Sequence, residues 1–155
     1  FPYYFSLSLT RFRSINIVIS TEKTKTETNE NMALTIMRTV RPSSTWQDSL
    51  IRISQGQRLV IDTEETWSPD MRNQIVWCGA DGLYNFPAGE SYLLPGTNVG
   101  ALIARIGDGA PFAVGSRHDF IANRDGVLHL AMNENPEYNN QAGKLVSQII
   151  LFDVS

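Results

Sequence analysis

From Met32 onward the chain never sustains a helical hydrophobic period over roughly ten residues. It runs instead in short apolar alternations broken by turn residues. Leu34-Thr-Ile-Met-Arg-Thr-Val40 alternates and stops before Pro42. Ser49-Leu-Ile-Arg-Ile53 alternates again, Gln55-Gly56-Gln57 turns, and Arg58-Leu-Val-Ile-Asp62 follows, a pattern that reads as a hairpin. After Trp67 comes a turn signal, Ser68-Pro69-Asp70, then the brief run Ile75-Val-Trp-Cys78. Leu83 to Asn98 has several Gly and Pro punctuations and no clean period; it reads as a long ordered loop, and loops of that length more often carry function. Gly100–Ile106 reads as a strand, turned by Gly107-Asp-Gly109. Pro111–Val114 and Asp119–Ala122 read as short strands, and Asn123-Arg-Asp-Gly126 as a hairpin turn before Val127–Met132. Lys144–Val154 closes the series. About eight strands with turns this frequent predict an all-β fold, an antiparallel β-sandwich or jelly roll.

Between the last two strands lies Asn133-Glu-Asn-Pro-Glu-Tyr-Asn-Asn-Gln-Ala-Gly143. No other stretch of this length gathers so many hard oxygen donors: the carboxylates of Glu134 and Glu137 and the amides of Asn133, Asn135, Asn139, Asn140 and Gln141. These are the ligand types that calcium prefers. The same residues also make an ordinary polar hairpin loop, because Asn, Pro and Gly favour turns.

Composition narrows the alternatives. A chain of 155 residues is long enough for one domain with a real core. The net charge of -3, with 13 basic residues forming no dense patch, speaks against nucleic acid as a partner. The single cysteine, Cys78, excludes an internal disulfide and a cysteine-rich zinc site, and leaves the compartment open. No apolar run approaches the length that crosses a bilayer. Residues 1–31 differ from the rest: they begin Phe-Pro-Tyr-Tyr-Phe, and Ser20 to Asn31 contains no apolar residue. Arg11 and Arg13 interrupt the apolar part, against a signal peptide. The segment reads as a disordered or non-native N-terminal extension before a single domain over 32–155, with Ile15–Ile19 as an alternative edge strand.

From Thr45 to Val154 the chain resembles the PA-IL-like family, whose prototype is a calcium-dependent, galactose-binding soluble bacterial lectin. Three pieces carry the resemblance. Asp48 to Trp67 is similar to the family's hairpin, with a mid-turn glycine and a terminal tryptophan. Gly100-Ala-Leu-Ile-Ala-Arg-Ile-Gly107 is similar to its Gly-Ala-Leu-x-x-x-Ile-Gly strand. Asn133 to Gly143 resembles its calcium loop, Asn-Asp-x-Pro, then Tyr, an Asn pair and Gly. The resemblance implies a galactose-binding-domain-like sandwich that binds glycans through calcium, with sugar hydroxyls completing the metal shell. It places Glu134 at the carboxylate position, one methylene longer than the family's Asp. The loop is one residue shorter than the family's, so the amide pair is Asn139 with Asn140 or Asn140 with Gln141. A backbone carbonyl would come from about Asp70 or Met71. The family's sugar-contacting His-Pro pair is Phe86-Pro87 here, and a family Gln falls near Gly89 or Glu90.

The implied metal set is thus Asp70, Glu134, Glu137, Asn139, Asn140 and Gln141, and the implied sugar contacts are Phe86, Glu90, Glu134, Asn135 and Asn140. The family's tetramer implies a homo-oligomer, which would add avidity to a shallow site. No catalysis is expected. His118 and His129 lie in strand or turn settings without a Gly-x-Ser-x-Gly elbow, and the Asp62, Glu64 and Glu65 group reads as a solvated strand end. Of the tryptophans, Trp67 is expected in the core and Trp77 at the surface. A metal-free interaction sandwich is the alternative.

Overall fold

The computed structural model describes residues 32–70 and 76–153, and the backbone of residues 18–20. Twelve strands make up the described chain. In order they are β1 (Val18–Ser20), β2 (Ala33–Val40), β3 (Gln47–Ile53), β4 (Arg58–Glu64), β5 (Trp67–Asp70) and β6 (Val76–Cys78). Then follow β7 (Leu102–Ile106), β8 (Phe112–Ala113), β9 (Arg117–Ile121), β10 (Gly126–Met132), β11 (Ala142–Gly143) and β12 (Leu145–Phe152).

They form a five-stranded sheet in the order β1-β2-β12-β4-β9 and a four-stranded sheet in the order β3-β10-β7-β8. A small third sheet has the order β11-β5-β6. Every pairing is antiparallel. The fold is the all-β sandwich expected from the alternations. β12 shows why: Leu145, Ser147, Ile149 and Leu151 point inward while their neighbours stay half-exposed. A period of two on a strand puts one set of side chains on one face. Ile36, Val40, Leu59, Ile61 and Ile149 from one sheet share the core with Ile51, Ile53, Leu102, Leu128 and Met132 from the other. Each such side chain contributes about 1.5–3 kcal/mol of burial. The inward polar residues are satisfied where they meet, with Thr63 Oγ1 and Ser147 Oγ 2.9 Å apart across β4 and β12.

Three local readings of the chain change. The Gln55-Gly56-Gln57 turn is not a hairpin: β3 pairs with β10 in one sheet and β4 with β12 and β9 in the other. The turn crosses between sheets and is held there by Gly56 N–H to Ala122 O at 2.8 Å and Gln55 N–H to Asp125 Oδ1 at 2.7 Å. Asn123–Gly126 crosses in the same way, from β9 to β10. Gly107-Asp-Gly109 does join a hairpin, β7 to β8. Ser68-Pro69-Asp70 is strand, not turn. Its proline lies where the β5–β6 register slips, a position that asks no ladder donor of it.

Of the N-terminal extension, Val18–Ser20 lies as a short edge strand on β2, and residues 1–17 and 21–31 fall outside the described residues.

Candidate functional site

Asn133 is the base of the site. It follows the end of β10 and is fully buried. Its Nδ2 donates to the carbonyls of Leu94 (2.9 Å), Thr97 (3.0 Å) and Asn98 (3.2 Å), and its Oδ1 accepts from Leu94 N–H at 2.9 Å. Its backbone is tied as well, to Ala101 O and Gly100 N–H. One side chain therefore staples the long 83–98 loop to the end of the four-stranded sheet. A buried amide in an apolar setting needs such partners. Within the 83–98 loop, Pro87 bridges Asn98, and Val99 N–H reaches Phe86 O at 2.9 Å.

The far end of the 133–143 loop is fixed by β11 against β5, with Ala142 opposite Ser68 and Gly143 opposite Trp67. Only glycine fits at 143: φ is +87°, and a Cβ there would lie 2.7 Å from Trp67 Cα and from Trp77 Cζ3. Trp67 is itself fully buried and donates Nε1–H to Gly100 O at 2.8 Å. Continuing the β11–β5 register by two residues brings Asn140 opposite Asp70, and Asn140 Nδ2 donates to Asp70 Oδ1.

Between these two anchors sits Glu134, only 1% exposed. Its Oε1 accepts from Asn135 N–H at 3.0 Å and its Oε2 from Gln141 Nε2 at 3.2 Å. Burial pushes its carboxyl above the ordinary value; those two hydrogen bonds pull it back, and the charge of Asp70 pushes it further up. Tyr92 is affected by the same group: burial raises its phenol, and Glu134, Tyr138 and Asp70 add to the rise. Tyr92 meets Tyr138 edge-on, with centroids 6.4 Å apart. Asn140 Oδ1 is buried and has no hydrogen-bond partner among the described residues.

The expected residues separate into groups. Asp70 pairs with Asn140 and Glu134 with Gln141 through the two side-chain bonds just described, and the charge of Asp70 is felt at Glu134. Asp70 reaches Asn140 through its side chain; Met71, the other candidate for the expected backbone carbonyl, lies outside the described residues. Glu137 and Asn139 are exposed. Glu137 contributes its backbone N–H to Asn135 Oδ1 at 3.0 Å, which shapes the turn. Asn135 also donates Nδ2–H to Ser91 Oγ at 3.1 Å, bringing the two loops together next to the exposed Glu90. Phe86 is 55% exposed and is held on the 83–98 loop by Asn98 Oδ1. Reading the sequence missed the stapling role of Asn133 and the nearness of Tyr92. The only available signal was the position of Asn133 directly after a buried strand.

A cation can be tested against this donor set. Asn140 donates to one carboxylate, lies in the same loop as a second that burial disfavours, and carries an acceptor oxygen buried without a partner among the described residues, a deficit that a hard cation satisfies. Asp70, Glu134, Asn140 and Gln141 supply oxygens of the right kind, so the residues fit calcium. Among the described residues no group of three or more His, Cys, Asp or Glu is placed to hold a metal, and half of this donor set is amide rather than carboxylate.

No protein-family model matches the chain. No curated protein matches it either. Among solved structures it is similar to one described as the EclA N-terminal domain, a PllA-like lectin. The match has a TM-score of 0.57 and 17% sequence identity, and covers 74% of this chain and 94% of that one. At that identity the likeness shows a shared fold, that of a lectin domain. Among the described residues no helix is long and apolar enough to cross a membrane.

Proposed function

We propose that this chain is a non-enzymatic, calcium-dependent carbohydrate-binding domain of the lectin type. The observation that carries the reading is Asn140: its Oδ1 is buried with no hydrogen-bond partner among the described residues, while its Nδ2 donates to the carboxylate of Asp70. Asp70, Glu134, Asn140 and Gln141 would hold the ion; Glu137 and Asn139, being exposed, would be at most peripheral to it. Calcium, when bound, supplies open coordination positions for two vicinal sugar hydroxyls. The protein's part is to orient the ring: Asn135 is fixed by Ser91, Glu90 lies beside that contact, and Phe86 offers an exposed ring for stacking. A galactoside-type sugar is the expected ligand, and the likeness to a lectin domain supports carbohydrate as the ligand class. A homo-oligomer would strengthen retention through avidity.

Retention on an immobilised galactoside, with calcium and with chelator, tests the reading. Calcium-dependent retention lost in the Glu134→Ala, Asn140→Ala double variant is the expected result; equal retention with chelator would overturn it. A second reading has its own observation. Both Glu134 oxygens already accept hydrogen bonds from the protein itself. A metal-free interaction sandwich would leave them so, and such a protein would respond to neither calcium nor sugar.

A further inference from the structure

β8 and β9 follow each other in the chain but lie at edges of opposite sheets, β8 ending the four-stranded sheet and β9 the five-stranded one. Beside these edges lies a cleft of about 540 Å³, within the range of roughly 300–1,000 Å³ typical of small-molecule sites. It is separate from the loop site. β7 runs from Leu102, paired with Met132 beside that site, to Ile106, which lines the cleft. Those ends are about 13 Å apart at roughly 3.3 Å per residue.

The lining is sorted by chemistry. Ile106 and Ala122 are buried core residues and give the cleft an apolar floor. Phe112, His118 and Phe120 form an aromatic wall: His118 stacks on Phe120 at 4.6 Å, and Phe112 meets Phe120 edge-on at 5.2 Å. At the rim is Arg124. A Cβ on Gly109 would come within 2.5 Å of its Nη1, so glycine at 109 leaves room for the guanidinium to lie along the rim. Arg124 holds one ion pair, Nη2 to Asp108 Oδ1 at 3.3 Å, and Asp108 is 94% exposed. Such a pair is weak and exchanges readily. The guanidinium is thus a cation available to an incoming acid, next to a flat apolar slot.

We propose that this cleft binds a small planar aromatic acid, its ring against the Phe112–Phe120 wall and its carboxylate on Arg124. Guanidinium and carboxylate match as a bidentate pair, and the aromatic wall supplies a face on which a planar ring stacks. The site needs no metal and is independent of the loop reading.

The test is an NMR titration of the full chain with 2-naphthoate, in chelator, alongside two variants. Ala110→Trp places an indole at the exposed rim of the cleft without touching the core. Arg124→Gln removes the charge. Saturable shifts at His118 and Phe120 are expected, abolished by Ala110→Trp. Arg124→Gln should weaken them about tenfold or more, the usual consequence of losing a charge-assisted hydrogen bond. Circular dichroism on each variant establishes that it is folded. No saturable shift at millimolar ligand, or shifts elsewhere that Ala110→Trp leaves unchanged, would overturn the site. Equal affinity in Arg124→Gln would overturn the acidic ligand.

Discussion

Asn133 and Asn140 stand in one loop and carry the same amide, yet their surroundings are opposite. Asn133 has both ends of its side chain satisfied by the backbone of the 83–98 loop. Asn140 donates to Asp70 and leaves its oxygen buried without a partner among the described residues. A closed hydrogen-bond set holds the fold together. An open one that donates to a carboxylate is where, in the proposed reading, a cation would complete the shell. The comparison separates the half of the loop that is scaffold from the half proposed as site, a distinction that composition cannot make.

Substitution should separate the halves. Asn133→Ala is expected to have the largest effect, a loss of about 3–5 kcal/mol, because three carbonyls and an N–H lose their partner at once. The denaturant midpoint reads it, and the loss should be equal with and without calcium. A loss below about 1 kcal/mol would show that the 83–98 loop is held by other contacts. Next comes Gly143→Ala, which meets Trp67, Trp77 and Thr66 within 2.8 Å. A cost of about 2–3 kcal/mol follows from strain and overpacking. Asn140→Ala should fall within about 1 kcal/mol of the parent in chelator, since it removes an unpaired oxygen with one hydrogen bond. In calcium its deficit should widen.

Cys78, behind the site, gives the smallest effect. Burial pushes its thiol to about 11 from an ordinary 9.0, against a lowering contact from Trp67. A raised thiol favours the protonated form in the fold, so the associated stability is present below the ordinary value and is lost as pH climbs from 9.0 through about 11. At pH 8 the thiolate fraction is about a hundredfold below that of an unfolded chain. Labelling by a thiol reagent at pH 8 should therefore be much slower in the native protein than in denaturant. Equal rates would contradict the packing of the half-buried Sγ against Gly100.

Strand positions were legible because alternation is local: β3 and β12 bury every second residue along most of their length. Sheet membership was not. Gln55-Gly56-Gln57 and Asp125-Gly126 reverse the chain, and turn chemistry alone looks the same whether the arms pair or part. What parts them is distant: Ala122 holds Gly56 and Gln57, and Asp125 holds Gln55. The donor-rich loop was legible from composition, and Glu134, Asn140 and Gln141 do converge. Asp70 converges through its carboxylate because β11 pairs with β5, a long-range register that no local pattern records. Glu137 and Asn139 have the right chemistry and both are exposed, Glu137 within the turn at Asn135–Tyr138 and Asn139 just after it.

The thermal midpoint of the full chain, in millimolar calcium and in excess chelator, tests the central claim most directly. An ion bound only by the folded state at a hundredfold excess over Kd adds about 2.7 kcal/mol. The expected result is a rise of several degrees in calcium that disappears in Asn140→Ala and in Glu134→Gln, with the midpoints in chelator little changed. Coincident midpoints in calcium and chelator for the parent chain would contradict the account and leave the open oxygen of Asn140 without a cation to complete it.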